Sequence, residues 1–355
     1  MTDGRRRAFI GSFTAAGGPG LVTASLAPDG GALTVLGTLN DLPDPSYLAL
    51  SPDGRTLYAV SETAEGAVAA YRVSGAGAGA GAEDGDVPEA GPPVPVHANG
   101  PTHLCVFAGH VLTANYGSGS VTAVPVRADG DLVRSASGVF RHTGSGPHPQ
   151  RQQRPHAHQV LPDPSGRWAV GVDLGTDSVR VYTLADGAPV QHREVALRPG
   201  SGPRHLAFHP DGTRAYVLNE LSPTLVACRW DAAEGVLRPL TEIPVLPGTP
   251  AGDAYPSGVA VSPDGRFVWT ATRGEDVLSV LAVGGQEYGM AGLRLIATVP
   301  CGGHWPRALT ESHGFLYVAN ERSGDVTWFA VDPDTGVPRR GGAIPVPAAS
   351  CVVVG

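Results

Sequence analysis

Only four cysteines occur in 355 residues (Cys105, Cys228, Cys301 and Cys351), and no two of them form a Cys-x-x-Cys pair. That usage argues against a disulfide framework or a zinc site, and for buried thiols in a reducing compartment. Charged residues make up 16% of the chain and hydrophobic ones 42%, which is neither a disordered nor a coiled-coil composition. The formal net charge of −8 speaks against nucleic acid and anionic membrane as partners, since both favour basic surfaces. It leaves room for a small anionic substrate held by a local cluster of arginines. No stretch approaches the ~20 apolar residues of a membrane span. No Gly-x-Gly-x-x-Gly element lies between a strand and a helix, and no Gly-x-Ser-x-Gly elbow is found, so neither a nucleotide cofactor nor that type of serine nucleophile is expected. Arg5-Arg6-Arg7 resembles the start of a twin-arginine export signal, but Gly11, Gly17, Gly18 and Gly20 break the apolar stretch that should follow. The expected location is cytoplasmic.

What the chain has in abundance is glycine (49) and proline (33), with no triplet period, which suits many short strands joined by tight turns. One apolar run ending in small or polar residues recurs seven times. Examples are Leu57-Tyr58-Ala59-Val60-Ser61-Glu62, Ala215-Tyr216-Val217-Leu218-Asn219-Glu220 and Leu316-Tyr317-Val318-Ala319-Asn320-Glu321; the other copies fall at 8–12, 111–115, 169–173 and 268–273. This run is strand B. A second run, strand A, precedes six of the copies and begins at Pro45, Pro101, Pro155, Pro203, Pro256 and Pro306. Turns such as Ser51-Pro52-Asp53-Gly54 and Ser262-Pro263-Asp264-Gly265 join the two as hairpins. The turn glycines recur about every 50 residues, a unit long enough for the four strands of a propeller blade.

The seventh strand A is missing from the front of the chain and present at its back, in Ala349-Ser350-Cys351-Val352-Val353-Val354. Pairing it with the orphan strand B at 8–12 closes a ring and removes the exposed sheet edges. The predicted fold is therefore all-β: one seven-bladed β-propeller over residues 1–355, closed by its C-terminal strand on the N-terminal blade. Residues 74–91, rich in Gly and Ala and then acidic, read as a flexible loop insertion. Residues 144–154 join the third blade to the fourth and are placed to cover one mouth of the channel.

Strands A and B run antiparallel, so the start of A and the end of B share one face of the disc. Reading the residue after each proline around the ring yields Ser46, Thr102, His156, Arg204, Ser257 and Arg307, with Ser350 completing it. The ends of strand B yield Ser12, Glu62, Asn115, Asp173, Glu220, Arg273 and Glu321. Polar and ionisable side chains thus converge on one mouth. Half of them are expected only to cap turns or pair, but His156, His158, Arg204, Glu220, Arg273 and Arg307 cluster in adjacent blades as one arc. An acid/base pair beside guanidiniums suits an anionic substrate, since arginine recognises carboxylate or phosphate in a bidentate way. Glu62 holds an equivalent repeat position but is expected to lie away from this arc. Arg204 and Glu220, at strand ends facing the mouth, are expected to be dispensable for folding. His156 and His158 could in principle hold a metal with His103 and His205, but no compact carboxylate set joins them and the arginines would repel a cation. Metal independence is the expectation.

Gly202-Pro203-Arg204-His205, Asn219-Glu220-Leu221, Pro155-His156-Ala157-His158, Asp173-Leu174-Gly175-Thr176-Asp177 and Ala114-Asn115-Tyr116 resemble the propeller-type 6-phosphogluconolactonase family. That family is related to the carboxy-cis,cis-muconate lactonising enzymes, and the resemblance runs from Ala8 to Val354. It implies a seven-bladed, metal-independent enzyme that opens, or in the muconate branch forms, a lactone, without settling the substrate. The reading adopted is a cofactor-free lactonase acting on a small anionic or sugar-like lactone such as 6-phosphogluconolactone. By motif, its catalytic groups fall on His156, Arg204 and Glu220 and a further substrate-binding arginine on Arg273. Arg307, His158, Asn115 and Asp173, placed at the same mouth by the repeat, are expected to bind substrate as well. Either His156 or Glu220 could be the base. A lactonising cyclase or isomerase of the muconate type is one alternative, and a non-catalytic ligand- or protein-binding propeller is the other. The chain is expected to be monomeric.

Overall fold

The computed structural model describes residues 6–73, 88–284 and 292–355. Seven antiparallel sheets follow one another around a central axis. Six are four-stranded, and the sheet of blade 2 has a fifth short strand. The one helical turn among the described residues is Thr14–Ala16. No helix among them is long and apolar enough to cross a membrane. Of the predicted insertion, 74–87 lie outside the described residues. Its end does form structure, because Glu89–Ala90 adds a strand to the edge of blade 2 through Tyr71 and Arg72.

The Ser-Pro-Asp-Gly turns form as their chemistry dictates. Ser51 Oγ donates to Asp53 and accepts from the Thr56 N–H, and Gly54 takes φ 69°, where any side chain would be strained. The same arrangement recurs at Ser262, Asp264 and Gly265.

The apolar core is split into layers between neighbouring blades. One layer holds Val170, Val172, Val217 and Trp230 between blades 4 and 5, and another holds Trp269, Ala271, Val318 and Phe329 between blades 6 and 7. Aromatic residues stitch the layers together. Tyr58 reaches the Gly130 carbonyl of blade 3, Trp168 that of Ala232 in blade 5, Trp269 that of Gly336 in blade 7, and Tyr317 that of Gly30 in blade 1. Each buries a large apolar body while satisfying its polar tip.

Closure is formed as the half-blades at the two ends imply. Ala349–Val354 pairs antiparallel with Arg7–Ser12, matching Phe9 with Val353 and Ile10 with Val352. Gly11 lets blade 2 approach this seam, since a Cβ there would lie 2.1 Å from the Pro45 carbonyl oxygen. Deleting residues 348–355 removes the innermost strand of blade 1 and bares Phe9 and Ile10, both essentially fully buried. The expected outcome is loss of soluble, cooperatively folding protein by circular dichroism. An unchanged melting curve would disprove the closure.

The ladder between strands A and B slips where strand A begins, and this slip builds the site. One residue is left out of register in blades 1, 3, 4, 5 and 7: Ser350, Thr102, His158, Arg204 and Arg307. In blade 6 the slip takes Ser257 and Gly258. A bulge of this kind re-aims the side chain it releases. The repeat reading of blade 4 is corrected here. Ala157, which pairs with Asp173, stands where blades 3, 5, 6 and 7 have proline, so His158 and not His156 is the counterpart of Arg204.

Candidate active site

Glu220 lies at the centre of the mouth and is 3% exposed. Its Oε2 stands 3.0 Å from Arg204 Nε and 2.8 Å from an Arg273 terminal nitrogen, and its Oε1 accepts from Arg151 at 2.5 Å. His158 Nε2 is 4.0 Å from Oε2. Burial alone would raise the Glu220 carboxyl, but the guanidiniums of Arg273, Arg204 and Arg151 outweigh it and hold the group well below the usual carboxylate range. Burial and the like charge of Arg273 push Arg204 down to about 9 against the pull of Glu220, which leaves it charged at neutral pH. Arg204 also donates to the Ser257 carbonyl, and Arg273 to that of Tyr255. Arg204 Nε and the Arg273 terminal nitrogen that face Glu220 Oε2 are both buried, so the carboxylate is what compensates their charge.

His156 stands beside this cluster with its ring stacked on Tyr116, centroids 4.4 Å apart. Its Nδ1 is 2.9 Å from the Tyr116 carbonyl oxygen. A carbonyl can only accept, so Nδ1 carries the proton and the Nε2 lone pair, which has no hydrogen-bond partner among the described residues, is open. Burial pushes the imidazole below its ordinary pKa, opposed by the Tyr116 carbonyl and Asp173 and assisted by Arg154 and Arg151. Deeper in the channel His103, His205 and His158 pack ring edge against ring face, with centroids 5.6 and 5.3 Å apart. Burial, then the charge of Arg204, keeps all three neutral. Among the described residues no group of three or more His, Cys, Asp or Glu side chains is arranged to hold a metal ion.

The opposite half of the mouth has a different character. Arg307 donates to Glu321 at 3.2 Å, lies 3.7 Å from Glu62 and sits over the Phe13 ring. Glu62 in turn accepts from Ser46 and Thr102.

Residues 7–354 match the family described as lactonase, 7-bladed beta-propeller. The chain belongs to this lactonase family. It is 32% identical over 333 residues to the 6-phosphogluconolactonase of Bacillus subtilis, covering 92% of each chain. The solved structure of the periplasmic gluconolactonase of Pseudomonas aeruginosa is 30% identical, with a TM-score of 0.86 and 98% of each chain covered. A Lactobacillus plantarum protein is 28% identical, with a TM-score of 0.89 and 99% of each chain covered. The chain is thus a lactonase, and the residues of its mouth can be sorted accordingly.

Arg204, Glu220, Arg273, His158 and His156 come together in the lactonase as one group. Arg307 is nearby but pairs across the other half, which also corrects the expectation that Glu62 lies apart from the site. Asn115 and Asp173 are not brought to the mouth. Asn115 is fully buried and bonds Ser120 and Thr122 within its own blade, as Asn320 does with Asp325 and Thr327. Asp173 is buried behind the site, where it accepts from the His142 ring and from the N–H groups of His156, Gly175 and Thr176. Side chains alternate along a strand, so Asn115 and Asp173, one position before Glu220 in the repeat, face the other way.

Arg151 was not singled out from the sequence. It belongs to the insertion at 144–154 and bonds Glu220 and the Tyr116 hydroxyl. It has no repeat counterpart to align with, and its only sequence signal is a basic residue in a segment placed over the mouth. The chain contains no lysine, so every basic side chain available to this site is a guanidinium.

Proposed function

We propose that this lactonase hydrolyses the ring ester of a sugar-derived δ-lactone such as 6-phosphogluconolactone, without a metal. One observation carries the reading: a buried carboxylate holds three guanidiniums beside a histidine whose Nε2 lone pair is open. His156 Nε2 takes a proton from water as the water oxygen attacks the lactone carbonyl carbon. The carbonyl oxygen becomes an oxyanion, stabilised by the positive charge of the Arg204 and Arg273 guanidiniums that Glu220 holds in place. As the ring C–O bond breaks, the imidazolium returns its proton to the departing alkoxide. Glu220 is too weakly basic to serve as the base, and its part is to fix the guanidiniums. Arg151, partly exposed, is placed to hold the substrate's anionic group.

The test is turnover of 6-phosphogluconolactone and δ-gluconolactone followed by acid release against the spontaneous rate, with a chelator present. Hydrolysis above the buffer rate, unchanged by chelation, is expected. A rate equal to buffer would leave a ligand-binding propeller. Loss on chelation with recovery on adding zinc would bring the histidines back as ligands. A cytoplasmic location is part of the same reading, supported by four cysteines that are all free and buried.

A further inference from the structure

The half of the mouth around Arg307 has a role the reaction above does not use. Glu62 and Glu321 keep about a fifth and a quarter of their side chains exposed there, at 21% and 25%, unlike Glu220 at 4%. Glu62 Oε2 is anchored by Ser46 and Thr102, and Glu321 is engaged by Arg307 through Oε2 alone, so Oε1 of Glu321 is a free acceptor. Between these two blades lies blade 1. Its released residue Ser350, 2% exposed, occupies the position that points Arg204 and Arg307 at the axis, and among the described residues its hydroxyl has no nitrogen or oxygen partner, only the weakly accepting Cys351 thiol. A buried hydroxyl without a strong partner, in the blade between two partly exposed carboxylates, leaves hydrogen-bonding capacity for a polar ligand.

From this we infer that Glu62, Glu321 and Ser350 form a subsite for vicinal hydroxyl groups, which selects polyhydroxylated lactones. The inference rests on the lactonase reading of the opposite half. Ionised carboxylates only accept, so hydroxyl donors suit them and a carboxylate ligand is repelled. The two halves also match the layout of a six-membered sugar lactone. Its carbonyl carbon and the carbon bearing the exocyclic group flank the ring oxygen, and the ring hydroxyls occupy the remaining edge. With the first edge against Arg151, Arg204 and Arg273, the hydroxyl edge meets Glu62 and Glu321. A muconate-type lactone has carboxylates and no such hydroxyls, and it fits this half poorly.

The experiment measures kcat/KM for δ-gluconolactone and for δ-valerolactone, which has no hydroxyls, in wild type, Glu62→Gln and Glu321→Gln, with melting curves beside them. The binding of D-glucono-δ-lactam and δ-valerolactam, which resist hydrolysis, is measured by calorimetry. The preference for the hydroxylated lactone is expected to fall about 10–100-fold in each variant, the range of a charge-assisted hydrogen bond, with a parallel loss of gluconolactam affinity. Glu321→Gln keeps the test open if Glu62→Gln fails to fold, since among the described residues the Glu321 carboxylate is hydrogen-bonded by Arg307 alone. An unchanged preference in folded variants overturns the subsite, as does a wild type that binds both lactams equally or neither. A wild type that hydrolyses nothing but binds gluconolactam through Glu62 overturns the enzymatic reading and leaves the subsite standing.

Discussion

Replacing Glu220 with alanine is expected to lower kcat/KM by about 10²–10³-fold and to destabilise the fold by roughly 3–5 kcal/mol. The first effect follows from loss of the carboxylate that positions Arg204 and Arg273. The second follows from burial: Arg204 and Arg273 are 3% and 7% exposed and would be left with uncompensated charge. In a chain of this length that loss corresponds to a fall in melting temperature of roughly 5–10 °C. The structure here reverses the expectation, drawn from strand-end position, that the pair is dispensable for folding. Arg204→Ala should destabilise less, because Glu220 keeps Arg273 and Arg151 as partners. Melting curves of the two variants decide the matter, and equal losses or none would show that Glu220 is not the hub of the cluster.

His156→Gln is expected to lower kcat by about 10²–10⁴-fold, the range of a general base, with KM changed far less. The pH profile is the sharper readout. His156 acts in its neutral form, so the wild-type rate falls as pH drops through its pKa. Burial lowers that pKa from the ordinary 6.5, so activity should hold through pH 6.5 and decline only on the acid side of it. The groups facing the ring are the Tyr116 carbonyl, Asp173, Arg151 and Arg154, and the opposition of Asp173 to the two arginines limits the shift. In His156→Gln the acid limb should vanish. A limb that persists there and vanishes in His158→Gln would move the role of base to His158, the true ring counterpart of Arg204.

Much of this was legible because the chain repeats itself. Leu57-Tyr58-Ala59-Val60-Ser61-Glu62 and Ala215-Tyr216-Val217-Leu218-Asn219-Glu220 could be aligned by eye, and the alignment carried Glu62 and Glu220 to one face. It failed by two residues in blade 4, because Pro155 lies outside the strand and Ala157 takes the place that proline holds in blades 3, 5, 6 and 7. It failed by one residue at Asn115 and Asp173, since a single step along a strand turns a side chain from the mouth into the blade. The same sensitivity hid the partition of the mouth: Arg204 and Arg307 hold one repeat position but end against different carboxylates.

By itself, then, the sequence determined the number of blades, the closure of the ring and the face on which polar groups gather, because strand alternation, turn chemistry and a repeated unit are local properties written in order along the chain. Only the tertiary structure decided that Glu220 holds three guanidiniums, that Arg151 reaches it from an insertion without a counterpart, and that Glu62 and Glu321 share Arg307. Those contacts join residues as many as 245 positions apart in Glu62 and Arg307, and charges brought together across blades tune one another only when the ring has closed and removed the water between them.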